Sequence, residues 1–327
     1  MQPRKTFMSL PAALRDLRLQ PGRAVGEQLA EWCESLAAHA DLCRDRKDPK
    51  AAVHQLRLVA KTLRAAIRLA NPGTLGPNLA RLDASVRKRS AALGSMRDSV
   101  VQAELLRRLV RREDRPLRLN VARLAREWES PQPGTGLQRR IAIGLSGCAR
   151  RLARELTTRA EAPGIRKALR RSLRKTLAWR EASEEEGATE AFHAWRRWQK
   201  RLESQLRLAA AVSSRRLDRH LDRLHGLQEE LGALHDVDEL AVRLRSRPNS
   251  KHLDPEQRQR VDTLLHKRQA RLQRRVLRLA KKAVDRELED HVRSVVRFWA
   301  KWKLNTRRPA ASTPGSRSRS VRVPPRT

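Results

Sequence analysis

The sequence predicts an all-α protein made of two groups of four helices, the second a duplicate of the first, followed by a disordered basic tail. Three observations carry this. The 327 residues hold only 14 Gly and 16 Pro, so helix breakers are sparse. Leu, Ala and Val alternate with Arg at helical spacing nearly throughout, while strand-like alternation is hard to find. One amphipathic stretch recurs some 139 residues later with its basic positions in register.

Residues 1–21 read as an N-terminal extension, without the continuous apolar run of a signal peptide. Helices are expected over about 22–46, 50–70, 74–93 and 98–129, the last open to a break at Pro116. Asp48-Pro49 is a start signal for the second of these, because Asp caps free N–H groups and Pro tolerates the first turn. Asn71-Pro72-Gly73 ends it. The breaker PQPGTG, 131–136, separates a first bundle (22–136) from a second (137–304). Helices follow at about 137–181, 189–211, 214–246 and 255–304. Residues 305–327 are rich in Pro, Ser and Arg with almost no apolar content, the composition of a disordered segment.

Charge narrows the function. The chain carries 73 basic and 36 acidic residues, net +37. Six arginines lie after Leu304, which leaves about +31 on the remainder, so the excess belongs to the folded body. Such a surface favours a polyanionic partner. Three cysteines without a C-x-x-C pair point to a reducing compartment and to neither a disulfide framework nor a thiolate metal site. No apolar run approaches the length of a membrane span, so the expectation is a cytoplasmic chain with no membrane partner.

The stretch VHQLRLVAKTLRAAIRLA, 53–70, concentrates the charge. At roughly 100° per residue, His54, Arg57, Lys61, Arg64 and Arg68 fall within an arc of about 80°. Leu56, Val59, Leu63, Ala66, Ile67 and Ala70 take the opposite side, the face of a helix seated on a core. FHAWRRWQKRLESQLRLAA, 192–210, repeats the pattern: His193, Arg196, Lys200 and Arg207 align with His54, Arg57, Lys61 and Arg68, and Trp195, Trp198, Leu202 and Leu206 with core positions. LGSMRD, 93–98, returns as LGALHD, 231–236. The copies differ where Glu203 replaces the Arg64 equivalent. Glu203 can pair with Arg207 four residues on, so the second stripe is weaker unless Arg197 and Arg201 compensate from its flank.

These blocks resemble the CHAD (conserved histidine α-helical) domain, over roughly residues 22–304. The hallmark stands here as DPKAAVHQLRLVAKTLRAAIRL and ATEAFHAWRRWQKRLESQLRL, each followed by Leu-Gly-x-x-x-Asp. The resemblance implies two four-helix bundles related by a pseudo-twofold axis, their basic helices lining a central cavity for inorganic polyphosphate, in a family whose members associate with polyphosphate granules or are fused to triphosphate-processing domains. Two features depart from the family: the chain has no Tyr, and Glu203 interrupts the basic series.

The residue types suit that ligand. Polyphosphate is a flexible chain of negative charge with no base edges. Arg meets phosphate oxygens with a planar fork, and Lys supplies a mobile point charge. Stripe positions advance about 4.5–6 Å along the helix, so a chain can pass from one cation to the next. His54 and His193 can each donate an imidazole N–H, and a nearby polyanion favours the protonated ring. Arg81, Lys88, Arg219 and Arg223 on the following helices are second-rank candidates. Asp98 and Asp236, after their Leu-Gly, suit an N-cap or a partner orienting a basic residue.

Two other classes compete. A basic protein binds nucleic acid non-specifically at low salt, but aromatics are 3% and the tryptophans of 192–210 fall on the core face. A polyphosphate-processing or phosphate-ester enzyme would need clustered carboxylates for Mg²⁺ or a phosphate loop, and no G-x-x-x-x-G-K-[ST] occurs. The acidic SEEEG, 183–187, reads as a charged loop, and His39 with Cys43 at i, i+4 as incidental. The expected protein is a non-catalytic polyphosphate binder without metal or cofactor.

Overall fold

The computed structural model describes residues 19–20, 23–70, 76–129, 135–157, 164–210, 214–246 and 252–305. The expected tail, nearly all of the N-terminal extension, and the breakers at 71–73 and 131–134 lie outside them. The described residues form ten α-helices and no strand: α1 (Val25–Leu42), α2 (Pro49–Ala70), α3 (Pro77–Leu109), α4 (Arg115–Trp128), α5 (Thr135–Thr157), α6 (Ile165–Glu185), α7 (Thr189–Ala209), α8 (Arg215–Arg245), α9 (Pro255–Ala283) and α10 (Arg286–Asn305).

The start expected at Asp48 is capped as predicted, and two further helices are capped by side chains the sequence reading did not single out. Asp48 Oδ1 accepts from Ala51 N at 3.1 Å, Ser214 Oγ from Leu217 N at 3.1 Å and Asp254 Oδ1 from Gln257 N at 2.7 Å. The buried face of α2 is the predicted one, with Leu56, Val59, Leu63, Ala66 and Ile67 each no more than 1% exposed.

Four boundaries differ from the sequence reading. The helices expected at 74–93 and 98–129 join as one continuous α3 through Leu93-Gly94, while the break allowed for at Pro116 does occur, α4 starting at Arg115 with Pro116 in its first turn. Gly94 and Gly232 are interior residues of α3 and α8, where a glycine costs about 1 kcal/mol relative to alanine but does not terminate a long packed helix. Asp98 and Asp236 are therefore not N-caps; the Asp98 side chain lies outside the described set. The expected helix 137–181 divides into α5 and α6 before Gly164, which adopts φ 63°, after a Pro163 that cannot donate to a helix. The expected helix 255–304 divides at Val284-Asp285, where Asp285 Oδ1 accepts from Leu288 N at 3.1 Å and starts α10. SEEEG is mostly not a loop, since Ser183–Glu185 complete α6.

Packing moves the division between the groups. α5 packs chiefly on α1 and also on α2 and α3, so it belongs with the first group although nearly all of it lies beyond residue 136. In the second, α6 packs on α7 and α10, α7 on α8, and α9 along α8. The groups meet where α2 faces α7 and α6, and α3 faces α8 and α9. Arg243 of α8 helps fix this junction, stacked 4.3 Å over the Trp128 ring of α4 and donating to Gln102 Oε1 of α3 at 2.7 Å.

Asp114 starts α4 by accepting from Leu117 N at 2.9 Å, and its other oxygen accepts from Arg260 of α9 at 2.6 Å. Asp114→Ala is expected to cost about 1 kcal/mol, a fall in Tm of roughly 2–4 °C. A thermal melt followed by circular dichroism checks it; an unchanged midpoint would show that neither cap nor pair contributes.

Candidate anion-binding site

The stripe on α2 and its counterpart on α7 face one another across the junction and enclose a cavity of about 300 Å³. α2 contributes His54, Arg57, Lys61, Arg64 and Arg68, and α7 contributes Arg197, Lys200 and Arg201. Ser90, Ser204 and Gln228 add neutral polar groups to the wall. The geometry follows from one feature of both helices: each buries an apolar face in its own group and so turns its basic face toward the other.

Not all of these charges are equally available. Asp83 of α3 takes up part of two, lying 3.2 Å from Arg64 and 3.7 Å from Arg68. Arg57 donates to Leu93 O at 3.5 Å. Among the described residues no carboxylate lies within ion-pair distance of Lys61, Arg197, Lys200 or Arg201. Burial and then the neighbouring Lys61, Arg196, Arg57 and Arg64 pull the Lys200 ammonium down to about 7. Burial and the surrounding arginines, Arg68 first, likewise lower Arg201 to about 10, although Asp83 opposes the shift. A polyanion would reverse both effects. The lowered values reflect burial first and then like charges held close together.

Arg201 is the cavity residue that the α2/α7 alignment left on the flank. It is placed by Trp198, which is half-buried rather than a core residue and carries the Arg201 guanidinium 4.1 Å from its ring centroid. Trp195, fully buried, is in the core as expected. The Trp-x-x-Arg spacing on α7 was the signal available in the sequence.

The α7 half-site departs from its counterpart. His193 does not line the cavity: its Nε2 lies 2.9 Å from Asp238 Oδ2 and 3.2 Å from His235 Nδ1, while Asp238 Oδ1 accepts from Gln269 Nε2 at 2.9 Å. A carboxylate accepts, so His193 Nε2–H donates to it and the ring is anchored toward α8 and α9. His235, lowered to about 4 by burial and by Arg196, stays neutral beside it. Arg196 also lies off the cavity wall, close enough for its charge to bear on Lys200.

Arg207 is occupied by Glu203 Oε1 at 3.1 Å and by Leu221 O at 3.3 Å. Glu203 is 2% exposed and accepts from His225 Nδ1 as well, at 3.3 Å. Burial works against its charge, yet the His225 hydrogen bond and the charges of Lys61 and Arg207 prevail and hold the carboxyl below the usual range.

The second-rank candidates are not brought into this cavity. Arg81 lines a separate pocket between α3 and α5 with Arg151 and Arg154. Lys88 is exposed on α3, Arg219 donates to Arg215 O one turn back, and Arg223 is held by Glu287 at 3.0 Å. His39 bonds Gln55 Oε1 at 3.0 Å in the core, which accounts for it without a metal.

Comparison with known proteins agrees with this architecture. The family model described as CHAD domain matches residues 27–245. The crystal structure of the CHAD domain from the plant Ricinus communis superposes with a TM-score of 0.54 at 19% identity, covering 87% of this chain and 95% of that one. No curated protein matches the chain. No described helix is long and apolar enough to cross a membrane.

Proposed function

This chain belongs to the CHAD-domain family, and from that premise we propose that it is a non-catalytic binder of inorganic polyphosphate acting in the cytoplasm, recruited through that ligand to polyphosphate granules. The observation that carries the reading is the cavity between α2 and α7, where Lys61, Arg197, Lys200 and Arg201 converge without a carboxylate in ion-pair range among the described residues. A like-charged cluster of this kind disfavours the ligand-free fold, and a bound polyanion offsets that cost. Arginine forks and lysine point charges along two facing helices match a chain of repeating phosphates rather than a base edge. The two half-sites are an internal duplication at the level of sequence, modified on α7 by Glu203.

Binding of long-chain polyphosphate at about 150 mM salt, where diffuse surface charge is screened, tests this. The Arg57→Ala, Lys61→Ala, Arg196→Ala, Lys200→Ala variant, with helicity checked, is expected to lose affinity by about a hundredfold or more. Equal binding by both proteins would assign the interaction to diffuse charge or to the tail. Equal displacement of polyphosphate by duplex DNA would favour the nucleic-acid reading. Phosphate release in the presence of Mg²⁺ or Mn²⁺ would overturn the non-catalytic one.

A further inference from the structure

Away from the basic cavity, two imidazoles and a carboxylate converge where α8 meets the start of α10. One ligand atom each from His220, Glu287 and His291 lies within 4.8 Å of the other two. His220 Nδ1 is 3.7 Å from one Glu287 oxygen, and His291 Nε2 is 3.6 Å from the other. The rings stand edge to face with centroids 5.2 Å apart.

The proton inventory makes this cluster unusual. His220 is 0% exposed, and its Nε2 lies 3.0 Å from Ala283 O. A carbonyl only accepts, so Nε2 carries a proton, and the ring turns its Nδ1 toward the carboxylate. That Nδ1 is buried and has no hydrogen-bond partner, and the same holds for His291 Nε2. Buried polar atoms are rarely left so, because each forfeits its hydration. Two ring nitrogens held 3.6 and 3.7 Å from a carboxylate, beyond hydrogen-bond reach of it, leave a gap that a cation fills.

We propose that His220 Nδ1, His291 Nε2 and Glu287 form a Zn²⁺ site that clamps α8 to α10. Two imidazoles and one carboxylate are a donor set zinc accepts, a fourth position being commonly taken by water. The surroundings are those of ligands held for a metal: the Ala283 carbonyl fixes the His220 tautomer, and Arg216 and Arg223 bond the carboxylate oxygens at 2.7 and 3.0 Å, orienting Glu287. Glu287 and His291, four residues apart, share one face of α10. Tetrahedral zinc at about 2.0–2.1 Å sets ligand atoms about 3.3 Å apart, so the cluster needs only a modest contraction. The site is independent of the polyphosphate cavity and of its α2 and α7 residues.

The test uses full-length protein freed of polyphosphate, stripped with chelator and titrated with Zn²⁺, with zinc counted after gel filtration. One zinc per chain is expected, with affinity reduced at least tenfold in Glu287→Gln and in His291→Gln, and unchanged in His193→Gln, which alters the other histidine cluster. Zinc-edge X-ray absorption of the wild type, independent of how the variants fold, is expected to show two imidazoles. Failure of the wild type to retain zinc, retention by folded Glu287→Gln and His291→Gln, loss in His193→Gln, or absorption without imidazole scattering would each overturn the proposal.

Discussion

Replacing Glu203 with glutamine is expected to weaken the ligand-free fold while tightening polyphosphate binding. Glu203 is buried, bonds Arg207 and His225, and acts electrostatically on Lys61 across the cavity. Glutamine keeps the shape and one acceptor but removes the charge. Arg207 and His225 are 41% and 48% exposed and regain water when that charge is removed, so the loss is about 1 kcal/mol, and at roughly 2–4 °C per kcal/mol the ligand-free melting temperature is expected to fall measurably. The same change frees Arg207 and raises the positive potential at Lys61, so affinity is expected to rise several-fold, more at low salt than at high. Opposite signs are the diagnostic. Calorimetric melts and polyphosphate titrations on one preparation measure both; affinity falling together with stability would mean that Glu203 orients a binding cation rather than muting the half-site.

The depressed carboxyl of Glu203 also gives this contribution a direction with pH. Its folded pKa lies below the ordinary value, so the stabilisation is present above the unfolded pKa and is lost as pH falls through the folded one. The wild-type and Glu203→Gln melting temperatures should therefore converge in acid.

How much of this was legible in the sequence depended on whether the cause was local. The α2 stripe was, because a basic arc opposite Leu56, Val59, Leu63 and Ile67 has one way to sit on a core. The fold class was, for the same reason repeated along the chain. The helix start signalled by Asp48-Pro49 was found, and those near 214 and 255 were placed by pattern alone, whereas the end at Val284 has neither Gly nor Pro, and only Asp285 marks the restart. Leu93-Gly94 misled because a glycine's local cost is small beside the packing of a long α3. What a cation meets across the structure was least visible. Arg223 sits at helical spacing on α8, and nothing nearby in sequence announces Glu287, 64 residues on, as its partner. His193 looked like a copy of His54 until Asp238, on another helix, took its Nε2–H. The position of α5 in the first group was hidden too, since a breaker at 131–136 marks a chain turn and not which face the next helix finds.

Polyphosphate binding at pH 8 is expected to take up close to one proton, and Lys200 is the group that accepts it. Its ammonium is lowered to about 7 by burial and by Lys61, Arg57 and Arg64 from α2 and Arg196 from its own helix. Between about pH 7 and the ordinary lysine value of 10.5 the unfolded chain holds this proton and the ligand-free fold does not. Stability rises with pH wherever the unfolded state binds more protons, so Lys200 should make the ligand-free protein more stable from pH 7 toward pH 10, the reverse of the Lys case with an acidic partner. A bound polyanion restores the charge, so affinity should fall as pH rises above 7, approaching about tenfold per unit where one proton is taken up. Titration calorimetry at pH 8 in two buffers of different ionisation enthalpy reads the uptake directly. Lys200→Met should abolish it and flatten the pH dependence of the ligand-free melting temperature. Uptake that persists in Lys200→Met would place the proton on another group and remove Lys200 from the centre of the site.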